Sequence, residues 1–199
     1  MNKMKILAIA DIHGDTGLVK KIEKLIDKEK IELVILAGDQ TWFSQNTKNL
    51  VGPLTKKRAL IIPSNHESEE TIEMWEKMYP NLKSVHKKSH QEGDIGFFGS
   101  GTLEWGMKNK KSPVYEELKK AHEKIKHLKK KVMITHEPPS ESLIELLGFP
   151  GTYGIKKAIE RFKPNFLICG HIHEGGGLIE KIGETTVMNV ARTPLIFEI

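Results

Sequence analysis

Five short groups of polar residues in this sequence combine carboxylate, imidazole and amide side chains. They contain seven candidate metal ligands: Asp11, His13, Asp39, Asn65, His136, His171 and His173. This mixture suits borderline divalent ions such as Mn, Fe, Co, Ni or Zn, whereas a site made only of oxygen atoms would favour Mg or Ca. Seven ligands are also more than one ion with an open coordination position takes. The sequence therefore predicts two ions that share a carboxylate.

Each group directly follows an apolar run of the length expected for a buried parallel strand. The runs cover residues 5–10, 33–37, 59–62, 132–135 and 166–169. Open α/β sheets bind ligands outside the carboxyl ends of their strands, so the polar groups should meet at one edge. Residues two apart in an extended chain face the same side, which predicts that Asp11 and His13 point at one centre. The pair His171 and His173 should do the same.

The rest of the chain alternates between helical and strand patterns. Apolar residues recur at helical spacing after Asp15, which can serve as the N-cap of a crossover helix in a βαβ unit. Further helices are predicted at 69–79, 113–128, 140–147 and 155–162, and further strands at 83–85 and 95–98. Strands at 178–182, 185–189 and 195–199 should form a closing antiparallel meander. The pattern predicts an α/β protein.

The composition excludes several classes of protein. The chain has 199 residues, a net charge of +5 and one cysteine, Cys169, which excludes an intramolecular disulfide and a cysteine-based zinc site. No stretch approaches the roughly 18 to 20 apolar residues of a membrane span. The apolar run at 6–10 is too short for the core of a signal peptide. We expect a single cytoplasmic domain over residues 1–199.

The polar groups, in this order, resemble the motifs of the calcineurin-like metallophosphoesterase family. They read Asp11-Ile12-His13, Gly38-Asp39, Asn65-His66-Glu67, His136 and Gly170-His171-Ile172-His173. Each group alone is a weak pattern, but the whole series, with every member after a predicted strand, is hard to obtain by chance. The segment from Cys169 to Gly175 and the hairpin after it are similar to the small single-domain archaeal and bacterial members.

The resemblance implies a fold and a set of roles. The fold is a four-layer αββα sandwich of two mixed β-sheets flanked by helices, the metallo-dependent phosphatase fold. The implied ligands are Asp11, His13 and His173 for the first ion, and Asn65, His136 and His171 for the second. Asp39 would bridge the ions, and His66 would be catalytic. The implied cofactor is two divalent ions per chain, with Mn favoured and Fe, Ni, Co or Zn as alternatives.

The roles describe a metal-dependent phosphoesterase. Two cations about 3.5 to 4 Å apart would lower the pKa of a bridging water and so supply a hydroxide for in-line attack on phosphorus. His66 would either donate a proton to the leaving alkoxide or stabilise charge on the phosphoryl oxygens. A phosphodiesterase is favoured, because the sequence shows no large insertion that could enclose a particular monoester.

Two other functions also fit the sequence. A nuclease or other nucleic-acid-binding phosphoesterase would use the lysine-rich region 108–131 as a phosphate track, although glutamates interrupt it. A non-catalytic scaffold of the same fold is the other alternative, and the presence of His66 with all the candidate ligands argues against it. The expected partner is a phosphate ester, which includes nucleotides and nucleic acid, and no membrane is expected.

The sequence departs from the family pattern in two places. Ser64 stands where a glycine usually precedes the Asn-His pair, and Val190-Ala191-Arg192 follows Asn189 where a Pro-Gly turn is usual. Arg192 is therefore either a phosphate contact or a surface arginine. Trp42 either stacks on a base or aromatic leaving group at the substrate mouth or packs in the core. The histidines at 86, 90, 122 and 127 match no motif and are expected on polar or helical surfaces.

Overall fold

The computed structural model of the chain describes residues 3–43, 45, 50–107 and 111–199. Its strands in chain order are β1 (Lys5–Ile9), β2 (Leu33–Leu36), β3 (Arg58–Ile61), β4 (Leu82–Ser84), β5 (Ser89–Glu92), β6 (Ile95–Ser100), β7 (Lys130–Thr135), β8 (Phe166–Cys169), β9 (Ile179–Ile182), β10 (Thr185–Asn189) and β11 (Leu195–Glu198). Its α-helices are α1 (Thr16–Lys28), α2 (Glu69–Met78), α3 (Pro113–Glu123), α4 (Leu143–Leu146) and α5 (Tyr153–Phe162). Short 3-10 helices cover Gly52–Thr55 and His173–Gly175.

The described strands form two mixed sheets. The first has the order β11-β1-β2-β3-β4, and all its pairs are parallel except that of β1 with β11. The second has the order β5-β6-β7-β8-β10-β9, with a parallel centre and an antiparallel strand at each edge. Parallel central strands carry all five polar groups to the carboxyl edges of the two sheets.

Three apolar cores separate four layers of secondary structure. In β1, Ile6 and Ala8 point into the core between the sheets. The alternate residues Leu7 and Ile9 pack against the apolar faces of α1 and α2, as expected for side chains that alternate along a strand. The second sheet packs in the same way against α3 and α5. The predicted four-layer sandwich is therefore confirmed.

The predicted closing meander is wrong. β9 and β10 do pair antiparallel, but β11 leaves them and pairs with β1 in the first sheet. β10 already has β8 on one side and β9 on the other, so it offers no free edge to a further strand. β11 instead covers the exposed edge of β1, where open backbone groups would otherwise invite unwanted pairing. The crossing from one sheet to the other passes through Val190-Ala191-Arg192.

Two predicted helices are shorter than expected. α3 ends at Glu123, because Ile125 and Leu128 turn back to pack on Gly96 in β6. A Cβ on that glycine would lie only 2.7 Å from Ile125 Cδ1. The helix predicted at 140–147 is reduced to the four residues of α4. The strand β5 was missed, because its residues Ser89–Glu92 are polar and carry no apolar alternation.

Candidate metal centre

The first half of the site forms where β1 ends beside the loop after β8. Asp11 is fully buried, and its Oδ1 atom lies 3.2 Å from His173 Nε2 and 3.7 Å from His13 Nε2. The other carboxylate oxygen accepts the backbone N–H of His171 at 2.9 Å. The Nε2 atoms of His13 and His173 are 3.2 Å apart. One carboxylate and two imidazoles therefore face one point.

Asp39, which follows β2, occupies the centre of the site. Its Oδ2 atom lies 3.6 Å from His13 Nε2, 3.4 Å from His136 Nε2 and 3.7 Å from His66 Nε2. The ring of His171 completes the second half, since its centroid is 5.0 Å from that of His136. Asp39, His136 and His171 offer ligand atoms that all lie within 4.8 Å of one another. Asp39 thus touches both halves of the cluster.

His136 fits a metal ligand in a specific way. Its Nδ1–H donates to the backbone oxygen of Ala37 at 2.8 Å, which fixes the ring and leaves the lone pair of the neutral ring on Nε2. That Nε2 atom is buried and has no aligned hydrogen-bond partner among the described residues. A buried polar atom without a partner costs free energy, and a bound cation would supply the partner that this nitrogen lacks. His13 has a similar arrangement, with Nδ1 3.3 Å from the oxygen of Thr41.

The charges of the cluster shift the pKa values of its members. Burial opposes ionisation of Asp39, but His136 and the Ser64 hydroxyl outweigh burial and hold the pKa of this carboxyl well below its usual range. Burial likewise opposes protonation of His136, yet the carboxylates of Asp39 and Asp11 raise its pKa to about 9. The pKa of His171 is lowered, chiefly by burial. The buried carboxylates therefore favour positive charge beside His136, which is where a cation would lie.

The pKa values of the two remaining histidines shift in opposite directions. Burial lowers the pKa of His13, and the nearby carboxylates only partly offset that effect. The hydrogen bond to Asp11 raises the pKa of the more exposed His173. Because His13 resists protonation, it stays neutral and can bind a cation. The Asp11 carboxylate, which favours a proton on His173, would likewise favour a cation there. Both shifts are compatible with cation binding.

The polar residues converge through strained turns rather than through extended chain. Four of the candidate metal ligands have φ in the left-handed region: Asp11 at 58°, His13 at 48°, Asp39 at 54° and His171 at 70°. Asp11 and His13 do face one centre, as predicted, but they reach it through left-handed turns and not through the extended chain on which the prediction was based. Residues other than glycine rarely take this conformation, and such strain concentrates at functional sites.

Glycine is required at two positions because the ligands approach the backbone closely. A Cβ on Gly38, whose φ is +94°, would lie 2.6 Å from His136 Nδ1 and 2.8 Å from Ser64 Cβ. A Cβ on Gly170 would lie 2.5 Å from Asp11 Oδ2. These contacts explain why the sequence places a glycine directly before Asp39 and before His171.

His66 differs from the other histidines in its proton position. Distance alone would admit it as a ligand, since its Nε2 is as close to Asp39 as that of His13. Its Nδ1, however, accepts the backbone N–H of Phe43 at 3.2 Å. The neutral ring therefore carries its proton on Nε2, directed toward the cluster, and has no lone pair there for a metal. Asn65, the remaining predicted ligand, is exposed beside it in the loop after β3.

Ser64 takes an active part in the site. Its hydroxyl accepts the backbone N–H of Asp39 at 2.7 Å and also contacts the Asp39 carboxylate. The same hydroxyl is 2.9 Å from Glu67 Oε2. The serine that replaces the usual glycine thus ties the central carboxylate to a buried glutamate, and the turn forms around this contact.

The structure places both predicted substrate-binding residues beside the cluster. Trp42 is 53% exposed, which rules out core packing, and its ring centroid is 5.1 Å from that of His13. Arg192 Nη2 donates to Asp15 Oδ2 at 2.9 Å, and its Nη1 donates to the backbone oxygen of Asp11 at 3.3 Å. Arg192 is therefore tied to the loop that carries the first ligands. A surface cavity of about 500 Å³, in contrast, lies at the amino ends of β2 and β3, away from the cluster.

Sequence reasoning gave no role to two glutamates and missed a tryptophan at this site. Glu67 and Glu137 are buried, and each directly follows a site histidine. Trp105 lies with its ring centroid 5.2 Å from that of His171. The position of the glutamates next to His66 and His136 was a usable signal. The partners of these carboxylates are distant in the sequence, so their contacts needed the fold.

A fold of two mixed sheets flanked by helices, with histidines and aspartates at the strand ends, defines the metallo-dependent phosphatase class. A model of the calcineurin-like phosphoesterase family matches residues 4–175. The chain belongs to this family. No curated protein matches it by sequence. None of the described helices has the length and apolar character needed to cross a membrane.

Solved structures share the fold at low sequence identity. The protein TT1561 of Thermus thermophilus is 15% identical over 96% of this chain and 91% of its own, with a TM-score of 0.77. An archaeal phosphodiesterase is 16% identical over 94% of this chain and 84% of its own, with a TM-score of 0.55. A dimetal phosphatase of Danio rerio is 9% identical over 95% of this chain and 88% of its own, with a TM-score of 0.62. These likenesses show the fold.

Proposed function

We propose that the protein is a phosphodiesterase that works with two divalent metal ions. The observation that carries the proposal is the position of Asp39, whose Oδ2 lies 3.6 Å from His13 in one half of the cluster and 3.4 Å from His136 in the other. A single carboxylate oxygen between two sets of imidazoles is what a shared ligand requires. The family membership supports hydrolysis of a phosphate ester.

The proposed ligands divide between the two ions as the motifs imply. They are Asp11, His13 and His173 on one side, Asn65, His136 and His171 on the other, and Asp39 between them. The donor set of imidazole nitrogens and carboxylate oxygens suits Mn first, with Fe, Ni, Co and Zn as alternatives. Two such ions would supply a hydroxide nucleophile at neutral pH and positive charge beside the attacked phosphate.

His66 is the proposed catalytic residue. Its Nε2–H points toward Asp39, and the contact from Phe43 at Nδ1 keeps the proton on that nitrogen. A neutral ring that gave this proton away would become an anion, which is unfavourable. The geometry therefore favours a hydrogen bond to a phosphoryl oxygen as charge develops there, rather than proton transfer to the leaving group.

A diester is the proposed substrate class. The metal cluster lies beside exposed side chains, including Trp42, rather than under a separate cap within the described residues. One of the similar structures is an archaeal phosphodiesterase, and another is a dimetal phosphatase, so the fold accommodates both activities. Trp42 is proposed to contact the substrate.

The nucleic-acid alternative rests on the lysine-rich region 108–131. Residues 108–110 of that region lie outside the described residues. α3, which carries much of the remainder, lies in the outer helical layer, and Lys126 pairs with Glu123 at 2.8 Å. Neither feature connects the lysines to the metal centre, so we place this alternative second.

Metal reconstitution tests the proposal. The protein is stripped of metal, and Mn, Ni, Co, Zn and Mg are added back separately before the initial rate is measured. Bis(p-nitrophenyl) phosphate serves as the diester and p-nitrophenyl phosphate as the monoester. We expect Mn or Ni to restore cleavage, with the diester preferred. Two bound ions without turnover of either ester would instead support the scaffold alternative.

A further inference from the structure

Two exposed tryptophans border the metal centre on opposite halves. The ring centroid of Trp42 is 5.1 Å from that of His13, in the half built around Asp11. Trp105, which is 56% exposed, contacts His171 in the other half at 5.2 Å and 70°. Asp39 lies between the two halves, so the two tryptophans stand against histidines on opposite sides of the central carboxylate.

The loop that carries Trp42 is fastened by a buried carboxylate. Glu67 Oε1 accepts the backbone N–H of Thr41 at 2.6 Å and the Thr41 hydroxyl at 2.8 Å. Its Oε2 accepts the backbone N–H of Asp39 at 3.1 Å. Glu67 directly follows His66 and is 5% exposed. The segment that leads into Trp42 is therefore anchored at Asp39 and Thr41.

The loop that carries Trp105 is fastened in the same manner. Glu137 accepts the backbone N–H groups of Glu104 at 2.8 Å and Trp105 at 2.7 Å, and the hydroxyl of Thr152 at 2.6 Å. Glu137 directly follows His136 and is buried. Each tryptophan thus lies in a loop that is held by a buried glutamate, which accepts hydrogen bonds from two backbone N–H groups and one threonine hydroxyl.

Both segments hold bulky residues in an unfavourable conformation. Trp105 has φ 51°, and Phe43, next to Trp42, has φ 50°, a region that large side chains rarely occupy. These aromatic side chains are exposed and contribute nothing to the apolar cores, so core packing does not explain the strain. Exposed apolar surface beside a polar cluster is typical of a ligand-binding groove.

We propose that Trp42 and Trp105 are two stacking platforms, so that the preferred substrate is a phosphodiester with a planar ring on each arm, such as two linked nucleosides. This inference rests on the proposed phosphodiesterase function. Every nucleobase has a flat face that stacks on an indole, so the platforms select for a ring on each side of the phosphate rather than for a base sequence.

Two diesters with the same leaving group test the platforms. Bis(p-nitrophenyl) phosphate has a ring on both arms, while methyl p-nitrophenyl phosphate has one ring, which is always on the leaving arm. The variants are Trp42→Ala, Trp105→Ala and the ring-retaining Trp42→Phe and Trp105→Phe. Met78→Ala, which removes an exposed apolar side chain at the end of α2, is the control.

For the two-ring diester, each alanine variant should raise KM about tenfold, the size expected for loss of one stacked ring. The phenylalanine variants should recover most of that loss. Their kcat should change less than about twofold, because Trp42→Phe keeps a ring against His66, whose centroid is 4.9 Å from that of Trp42. For the one-ring diester, only one of the two alanine variants should raise KM. The control should match the wild type on both substrates.

Several results would overturn the platforms while leaving the proposed function intact. These are equal KM values in all proteins, phenylalanine variants as impaired as alanine ones, or a loss of kcat with KM unchanged. If the wild type cleaves neither diester, the proposed function fails. The stacking role of the two tryptophans is then tested by ligand binding. Calorimetry with a thymidine dinucleotide should show about tenfold weaker binding to each alanine variant, and equal binding would refute the platforms.

Discussion

His66 accepts a hydrogen bond at Nδ1 from the backbone N–H of Phe43, at a distance of 3.2 Å. The ligand candidates His13 and His136 do the reverse, since their Nδ1 atoms face backbone carbonyl oxygens. The proton of the neutral ring is therefore on opposite nitrogens in the two cases. This difference separates a hydrogen-bond donor from metal ligands within one cluster of imidazoles.

Replacing His66 should lower turnover without releasing metal. We expect His66→Ala to lower kcat by a factor of about 10² to 10³, as loss of a donor to the developing charge does, with metal content unchanged. His66→Gln should recover part of the rate, because its amide can donate to the same oxygen. Metal analysis and steady-state kinetics check this, and a rate equal to the wild type would exclude the role.

The leaving group tells the two roles of His66 apart. If His66 donates to the phosphoryl oxygens, its removal should slow the cleavage of p-nitrophenyl and alkyl esters by similar factors. A proton donor to the leaving group should matter far more for alkyl esters, whose leaving oxygen is more basic. A strong dependence on the leaving group would therefore contradict the hydrogen-bond role drawn from the Phe43 contact.

Asp39→Asn should weaken metal binding in both halves of the site. The substitution keeps the shape of the side chain but removes the shared charge, so we expect affinity to fall by at least about 100-fold, the upper end of what loss of a supporting residue costs. Asp94→Asn, which removes a carboxylate that pairs with Lys130 at the surface, is the control. Two tightly bound ions in the Asp39 variant would refute the bridging role.

Arg192 is expected to act through the loop that it holds. Its guanidinium donates to Asp15 and to the backbone oxygens of Asp11 and Ile12. We predict that Arg192→Ala weakens metal binding about tenfold while KM is unchanged, as loss of a supporting residue does. Arg192→Lys should recover little, because one ammonium cannot make all three contacts. A higher KM with unchanged metal affinity would show a direct phosphate contact instead.

His122 should reduce stability in acid. Its ring is buried, stacked on Phe162 with centroids 4.6 Å apart, and burial together with Lys131 lowers its pKa. Below its ordinary pKa of about 6.5, the unfolded chain takes up a proton that the folded chain resists. The free energy of unfolding therefore falls as pH drops below that value. His122→Phe should lose less stability between pH 7 and 5 in urea unfolding, and an equal loss would refute this account.

The strands that position the site were predictable because their residues are continuously apolar. Buried parallel strands such as β2 need no polar face, so their ends stand out where polar residues begin. β5 lacked any such signal, since Ser89–Glu92 is polar throughout. The departure of β11 to the first sheet depends on which edges are already paired, which no local pattern records.

Within the site, residue types were predictable and long-range contacts were not. Glu137 accepts the backbone N–H of Glu104, which is 33 residues away. The residue types do not show which backbone groups such a carboxylate will bind. Burial was also misjudged at His86 and His122, which were expected at the surface and are buried. His86 accepts the N–H of Gly101 at 2.9 Å, a partner set by the fold. The single-domain organisation and the cytoplasmic location stay predictions.

A titration of the metal-free protein with Mn²⁺ shows whether activity needs two ions per chain. The rate of bis(p-nitrophenyl) phosphate cleavage is followed against the molar ratio of Mn²⁺ to chain, with bound metal measured in the same samples. We predict that the rate rises until two ions are bound per chain, because Asp39 joins both halves of the cluster. Full activity with one bound ion, or no activity with two, would contradict it.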